Sequence, residues 1–171
     1  MESSRAIVIT GPVGAGKTTT AIALAALLEQ RDISCAMIDM DQLRWFYPRP
    51  TGDRFGSQVG LRHLAVMAAS YQELGIQILV LADVIETGTE WHASAVPGYE
   101  ITVVRLAVPV EQLHQRLRLR ETEADYEWHE NRAVELTDIM ERNRIGDLVI
   151  QVNHEGPEEI ALMIAERLRL L

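Results

Sequence analysis

Eight consecutive residues constrain this chain more than any other stretch: Gly11-Pro12-Val13-Gly14-Ala15-Gly16-Lys17-Thr18. They read G-x-x-x-x-G-K-T, the pattern of a phosphate-binding loop, with every fixed position matched. The β-branched apolar run Ala6–Thr10 before them predicts a buried strand. The Ala- and Leu-rich run 19–29 after them predicts a helix. Glycines in such a loop let backbone N–H groups point inward at phosphate oxygens, and the helix N-terminus adds the positive end of its dipole. In that setting Lys17 reaches the β- and γ-phosphates of ATP and the Thr18 hydroxyl meets Mg²⁺. Gly11, Pro12, Val13, Gly14, Ala15, Gly16 and Thr19 complete the expected nucleotide cradle.

The remaining strands follow from short apolar runs bounded by turn signals. Residues 33–38 predict a second strand ending at Asp39, 77–83 a third, 101–107 a fourth and 147–152 a fifth. Helices are expected over 61–74, stopped by Gly75, over a short stretch 91–96, over 110–120, from about 128 to 141, and from Pro157 onward. Strands alternating with helices predict an α/β three-layer sandwich with a five-stranded parallel sheet. Its ligands belong beyond the C-terminal strand ends, at the switch in strand order. That rule brings the glycine loop, Asp39, Asp41, Asp83, Glu86, Asn153 and His154 to one edge.

Composition narrows the classes further. The chain has 171 residues, 47% of them hydrophobic, which suits one domain spanning 1–171. Sixteen basic residues against 25 acidic ones, a net charge of −9, argue against a nucleic-acid partner. One cysteine, Cys35, excludes an intramolecular disulfide and a cysteine-based zinc site. The first residues lead straight into a strand without secretory n- and h-regions, and no apolar run approaches 18 residues, so a cytoplasmic protein with no membrane partner is expected. A monomer and a homodimer are both compatible with the sequence.

No Asn-Lys-x-Asp guanine motif is present, and no Asp-Glu pair ends a strand as in motor or remodelling ATPases. The phosphate loop, the Asp39-x-Asp41 pair after the second strand, and the Arg116/Arg120 helix leading into a charged stretch together resemble the nucleoside-monophosphate-kinase-like group of P-loop enzymes. Within it the layout is similar to shikimate, gluconate and adenylylsulfate kinases and chloramphenicol phosphotransferase. The resemblance implies an ATP- and Mg²⁺-dependent phosphotransferase (a kinase) acting on a hydroxyl of a small-molecule acceptor. A nucleoside or nucleotide kinase is the alternative within the group. An ATP-binding regulatory protein with little turnover is the alternative outside it.

The resemblance also implies roles for individual residues. Asp39 would serve the metal with Thr18, and Asp41 would bind the acceptor and act as base. If the strand ran on, both would face the same side; a pair of solvated turn carboxylates is the plain alternative. Asp83 is a candidate for the metal through water, or for the acceptor, a duty Glu86 can share; it also fits a purely structural role. Arg116 and Arg120 lie one turn apart and can converge on the transferred phosphoryl group, with Arg132 a further candidate. Arg118 falls on the other side and is expected to pair with surface acids. The region of about 116–132 corresponds to a lid, with 121–130 its moving part. The acceptor segment falls at about 41–62, where Arg44, Trp45 and Arg62 are the leading candidates and Arg49 and Arg54 supply further positive charge. Asn153 and His154 are placed to line the base pocket. All five histidines lack metal-ligand spacing and read as helix-surface or loop residues.

Overall fold

The computed structural model describes residues 4–120 and 123–171, and the side chains of all of these except 120 and 123–125. Five strands form one parallel sheet in the order β2-β3-β1-β4-β5. They are β1 (Arg5–Thr10), β2 (Cys35–Asp39), β3 (Ile78–Ala82), β4 (Glu100–Ala107) and β5 (Leu148–Gln151). The helices are α1 (Lys17–Gln30), α2 (Met40–Leu43), α3 (Ser57–Glu73), α4 (Glu90–Ala95), α5 (Val110–Arg120), α6 (Glu123–Arg142) and α7 (Pro157–Arg167).

Alternation along the strands divides the core between the two faces of the sheet. Ile7, Ile9, Val80 and Leu106 pack with Leu24 and Leu28 of α1, Leu113 and Leu117 of α5 and Ile164 of α7. Ala6, Val8, Leu79, Leu81 and Val103 pack with Met40 of α2, Leu64 and Ala68 of α3 and Met140 of α6. Helix α6 reaches both layers, giving Ala133 to the first and Leu136 to the second. Each fully buried leucine contributes roughly 1.5–3 kcal/mol relative to an exposed one. The strand order puts β1 centrally, with β3 on one side and β4 on the other. The glycine loop therefore leaves the sheet at its switch point.

Strand β2 ends at Asp39, as the sequence reading expects, and two helices start earlier than expected, each for a local reason. The Asp39 carboxylate accepts the Asp41 N–H at 2.9 Å, capping α2 and turning the chain into a helix. Helix α3 begins at Ser57, four residues ahead of the expected 61. The Asp53 carboxylate, itself buried, accepts the N–H groups of Ser57, Gln58 and Val59 at 2.7, 3.1 and 3.3 Å. Helix α6 starts at Glu123, ahead of the expected 128, and takes in residues 123–127 of the charged stretch; acidic side chains favour a helix N-terminus.

Candidate active site

The phosphate loop is built as its spacing predicts. Gly16 adopts φ 93° and caps α1 without a side-chain bond, a left-handed conformation that costs a residue with a Cβ. The first N–H groups of a helix have no partner within the helix itself, which suits its N-terminus to an anion. Lys17 curls back over the loop, its Nζ donating to the carbonyls of Gly11 and Pro12 at 3.1 Å each. Thr18 Oγ1 donates to Asp39 Oδ2 at 2.9 Å, which places side by side the hydroxyl and the carboxylate expected to serve the metal. Among the described residues, no three His, Cys, Asp or Glu side chains form a metal cage. A kinase Mg²⁺ does not need one, because phosphates and water fill most of its shell. The Thr18–Asp39 pair fits Mg²⁺, and the glycine loop with Lys17 at the head of α1 fits a nucleoside triphosphate.

One cleft of about 570 Å³ joins this loop to the acceptor region. Gly14, Gly16, Lys17, Thr18 and Thr19 line one part. Asp41, Arg44, Arg49, Arg54 and Phe55 line another, and Glu86, Trp128, His129 and Arg132 close it from the α6 side. Arg49 lies over the Phe46 ring, 5.0 Å from its centroid, and Arg54 over Phe55 at 5.5 Å. Five cationic side chains (Lys17, Arg44, Arg49, Arg54, Arg132) face two carboxylates (Asp41, Glu86) in the lining. The cleft is thus locally positive in a protein of net charge −9.

The expected arginines divide by geometry. Arg116 of α5 reaches the loop, its Nη1 donating to the carbonyls of Gly14 and Ala15 at 3.4 and 3.2 Å. Arg132 of α6 bonds Glu86 and Glu135, the latter at 2.7 Å. Burial draws its pKa down, but the bond to Glu135 and the charges of Glu86 and Glu135 outweigh this, so the net shift is upward. The Arg120 side chain lies outside the described residues, as do residues 121 and 122 of the expected moving stretch. Arg118 pairs with a phenol where an acid was expected: its Nε donates to the Tyr126 hydroxyl at 2.9 Å, and that hydroxyl donates to Glu130 at 2.8 Å.

Several candidate residues lie apart from the cleft. Trp45 is 81% exposed and lies outside the cleft lining, as does the exposed Arg62 on α3. The aromatic walls are Phe55 and Trp128, which spacing alone did not single out. Asp83, a candidate for the metal, the acceptor or a structural role, is buried and absent from the cleft lining. Its carboxylate binds Arg44, the Val84 N–H and His92. His92, read as a surface residue, is buried with Nε2 2.7 Å from Asp83. His129 lines the cleft. Asn153 and His154 stand exposed beyond β5, outside the cleft lining, with their N–H groups bound by Glu155 at 2.7 and 3.1 Å. The Glu155 carboxyl is held below its ordinary pKa by these backbone donors.

A family model described as Zeta toxin matches residues 2–147. The chain belongs to the Zeta toxin family. The match takes in the phosphate loop, Asp39, Asp41 and the cleft-lining part of α6, and ends before β5. This Zeta toxin family member is also similar in structure to P-loop kinases over nearly its full length. The APS kinase of Mycobacterium tuberculosis, solved with AMPPNP and APS, shares 20% identity, with 98% of each chain covered and a TM-score of 0.65. The shikimate kinase of Acinetobacter baumannii, solved with shikimate, shares 22% identity over 99% of this chain and 95% of its own, at a TM-score of 0.58. The tunicamycin resistance protein of Deinococcus radiodurans shares 22% over 96% and 95%, at 0.61. No curated protein sequence matches significantly. At such identities the likeness speaks for the fold: a P-loop kinase of the nucleoside-monophosphate-kinase-like layout. Among the described residues, no helix is long and apolar enough to cross a membrane.

Proposed function

We propose that this protein transfers the γ-phosphoryl group of ATP to a hydroxyl of a small molecule that carries an anionic group. The observation that carries the reading is the shared cleft: the phosphate loop, Asp41 and three arginines of the acceptor side line one continuous space.

Mg²⁺, when bound, neutralises charge between the β- and γ-phosphates. Thr18 and Asp39 would hold it. Lys17 would exchange the Gly11 and Pro12 carbonyls for phosphate oxygens. Asp41 would orient the acceptor hydroxyl and take its proton as the new bond to phosphorus forms. Arg116 and Arg132 would hold the transferring group, joined by Arg120 from the same helix face as Arg116. Asn153 and His154 would flank the base. Arg44, Arg49 and Arg54 would hold the acceptor's anion, with Phe55 and Trp128 as flat walls. These two aromatic walls favour a second reading, a nucleoside or nucleotide as acceptor.

ADP release measured across sugars, nucleosides, nucleotides, shikimate-like acids and aminoglycoside or phenicol alcohols tests both. Stimulation by an anionic alcohol supports the first reading and stimulation by a nucleoside or nucleotide the second. Tight ATP binding with no acceptor-stimulated release from any of them would sink both.

A further inference from the structure

Asp83 directly follows β3, where a P-loop enzyme can carry an acidic metal group, yet its oxygens are already committed. Oδ1 accepts the Val84 N–H at 2.8 Å and meets Arg44 Nη2 at 2.8 Å. Oδ2 accepts from Arg44 Nη2 at 2.9 Å and lies 2.7 Å from His92 Nε2. A carboxylate has about four lone-pair sites, and these contacts use them. The side chain is 1% exposed.

Arg44 is held as firmly on its own side. Gly60 of α3 faces the arginine stem, and a Cβ at that position would lie 2.9 Å from Arg44 Cγ and 3.2 Å from Nε. Arg44 Nε is buried with no hydrogen-bond partner among the described residues. With Nη2 turned in to Asp83 and Nε enclosed, Nη1 is the nitrogen left to the cleft, 3.6 Å from Asp41 Oδ1. A guanidinium is a rigid planar fork, so fixing one edge fixes the direction of the other.

We propose that Asp83, braced by His92, is a positioning residue that acts through Arg44: it aims Nη1 at the anion of the acceptor beside Asp41, and it does not serve the metal. The proposal deepens the phosphotransferase reading and rests on it for the acceptor's identity. Positioning and simple charge neutralisation predict opposite signs. If Asp83 only masked the charge of Arg44, its removal would strengthen anion binding at Nη1. If it aims the fork, removal weakens that binding.

Inorganic sulfate serves as the probe, with AMP-PNP and Mg²⁺ filling the phosphate loop. The readouts are the backbone amides of Asp41 and Arg44 and the Arg44 Hε resonance in ¹⁵N-labelled protein, assigned by its loss in R44K. In Asp83→Asn the Hε signal should broaden or vanish, and sulfate affinity should fall at least fivefold. The same change made in the R44K background should alter sulfate affinity less than twofold. Mg²⁺-dependent AMP-PNP affinity should also stay within twofold of wild type. Sulfate affinity that is unchanged or stronger, no sulfate response at those amides in wild type, or loss of Mg²⁺-dependent nucleotide binding in Asp83→Asn would each overturn the proposal. Should Asp83→Asn fail to fold, His92→Gln decides: a shifted Arg44 Hε with weakened sulfate supports the proposal, and an unchanged pair overturns it. Wild-type protein that binds no AMP-PNP would sink the phosphotransferase reading, and the Arg44 readouts, taken without nucleotide, would still decide the role of Asp83.

Discussion

Thr18 and Asp39 lie 21 residues apart in sequence and meet in a 2.9 Å hydrogen bond from Oγ1 to Oδ2, tying the first turn of α1 to the end of β2. The pair sets a carboxylate behind the hydroxyl that would contact Mg²⁺. Replacing Asp39 by Asn keeps the shape and removes the charge. It should raise the Mg²⁺ concentration needed for nucleotide binding by about 10–100-fold, the usual effect of losing an outer-shell partner. A calorimetric titration of AMP-PNP at stepped Mg²⁺ concentrations measures this, and an unchanged requirement would remove Asp39 from the metal site.

Lys17 has its ammonium on two loop carbonyls and needs only to swing toward bound phosphates. Lys17→Ala removes charge-assisted bonds worth about 1.5–3 kcal/mol each, so ATP affinity should drop by about tenfold to several hundredfold. Equilibrium binding of a fluorescent ATP analogue reads the change. Persistence of wild-type affinity would mean the loop does not hold the triphosphate.

Asp41 lines the cleft with its side chain 77% exposed, open to a ligand and clear of the Thr18–Asp39 bond. Asp41→Asn should therefore separate binding from transfer. Nucleotide affinity stays at the wild-type value, and kcat for the acceptor found by screening falls by about 10²–10⁴, the span of general-base catalysis. Equal loss of both would assign Asp41 to nucleotide binding.

Arg132 is held between Glu86 and Glu135 at the cleft wall. As a group that would meet the transferring phosphoryl, it should matter mainly to turnover. Arg132→Ala is expected to lower kcat by about 10²–10³, as for the loss of one transition-state donor. Steady-state kinetics would show the effect in kcat, whereas a rise confined to KM would place Arg132 in ground-state binding.

Cys35 is partly buried at the start of β2, and its thiol pKa is pushed above the ordinary value by burial and then by the charge of Glu29. At a given pH it carries less thiolate than a free thiol does. Alkylation by iodoacetamide at pH 8 should be slower than for glutathione, should speed up as pH rises past the ordinary thiol range, and should lose its lag in urea. Mass spectrometry of the timed reaction checks it; a rate matching glutathione would mean Cys35 is open to solvent.

The sequence alone determined the phosphate loop, the five strands and the edge of the sheet at which the cleft opens. Those features depend on short-range rules: glycine at a left-handed turn, β-branched residues in a run, a helix N-terminus directly after. Lys17 and Thr18 were legible because they sit within the loop that defines their roles. The short helix α2 after Asp39 and the start of α3 at Ser57 were not. In each an aspartate side chain redirects the backbone, and the competing extended and irregular readings are equally compatible with local propensity.

Tertiary structure decided everything that depends on two distant faces meeting. It brings Arg116 onto the Gly14 and Ala15 carbonyls from a helix about a hundred residues away. It chose Phe55 and Trp128 over Trp45 as cleft walls, and it closed Arg44 and His92 around Asp83. A linear pattern gives the types of such residues, while the rotation of each helix against the sheet gives their neighbours. That rotation is set by the packed leucines of the two core layers, summed over many small contacts, which no single motif records.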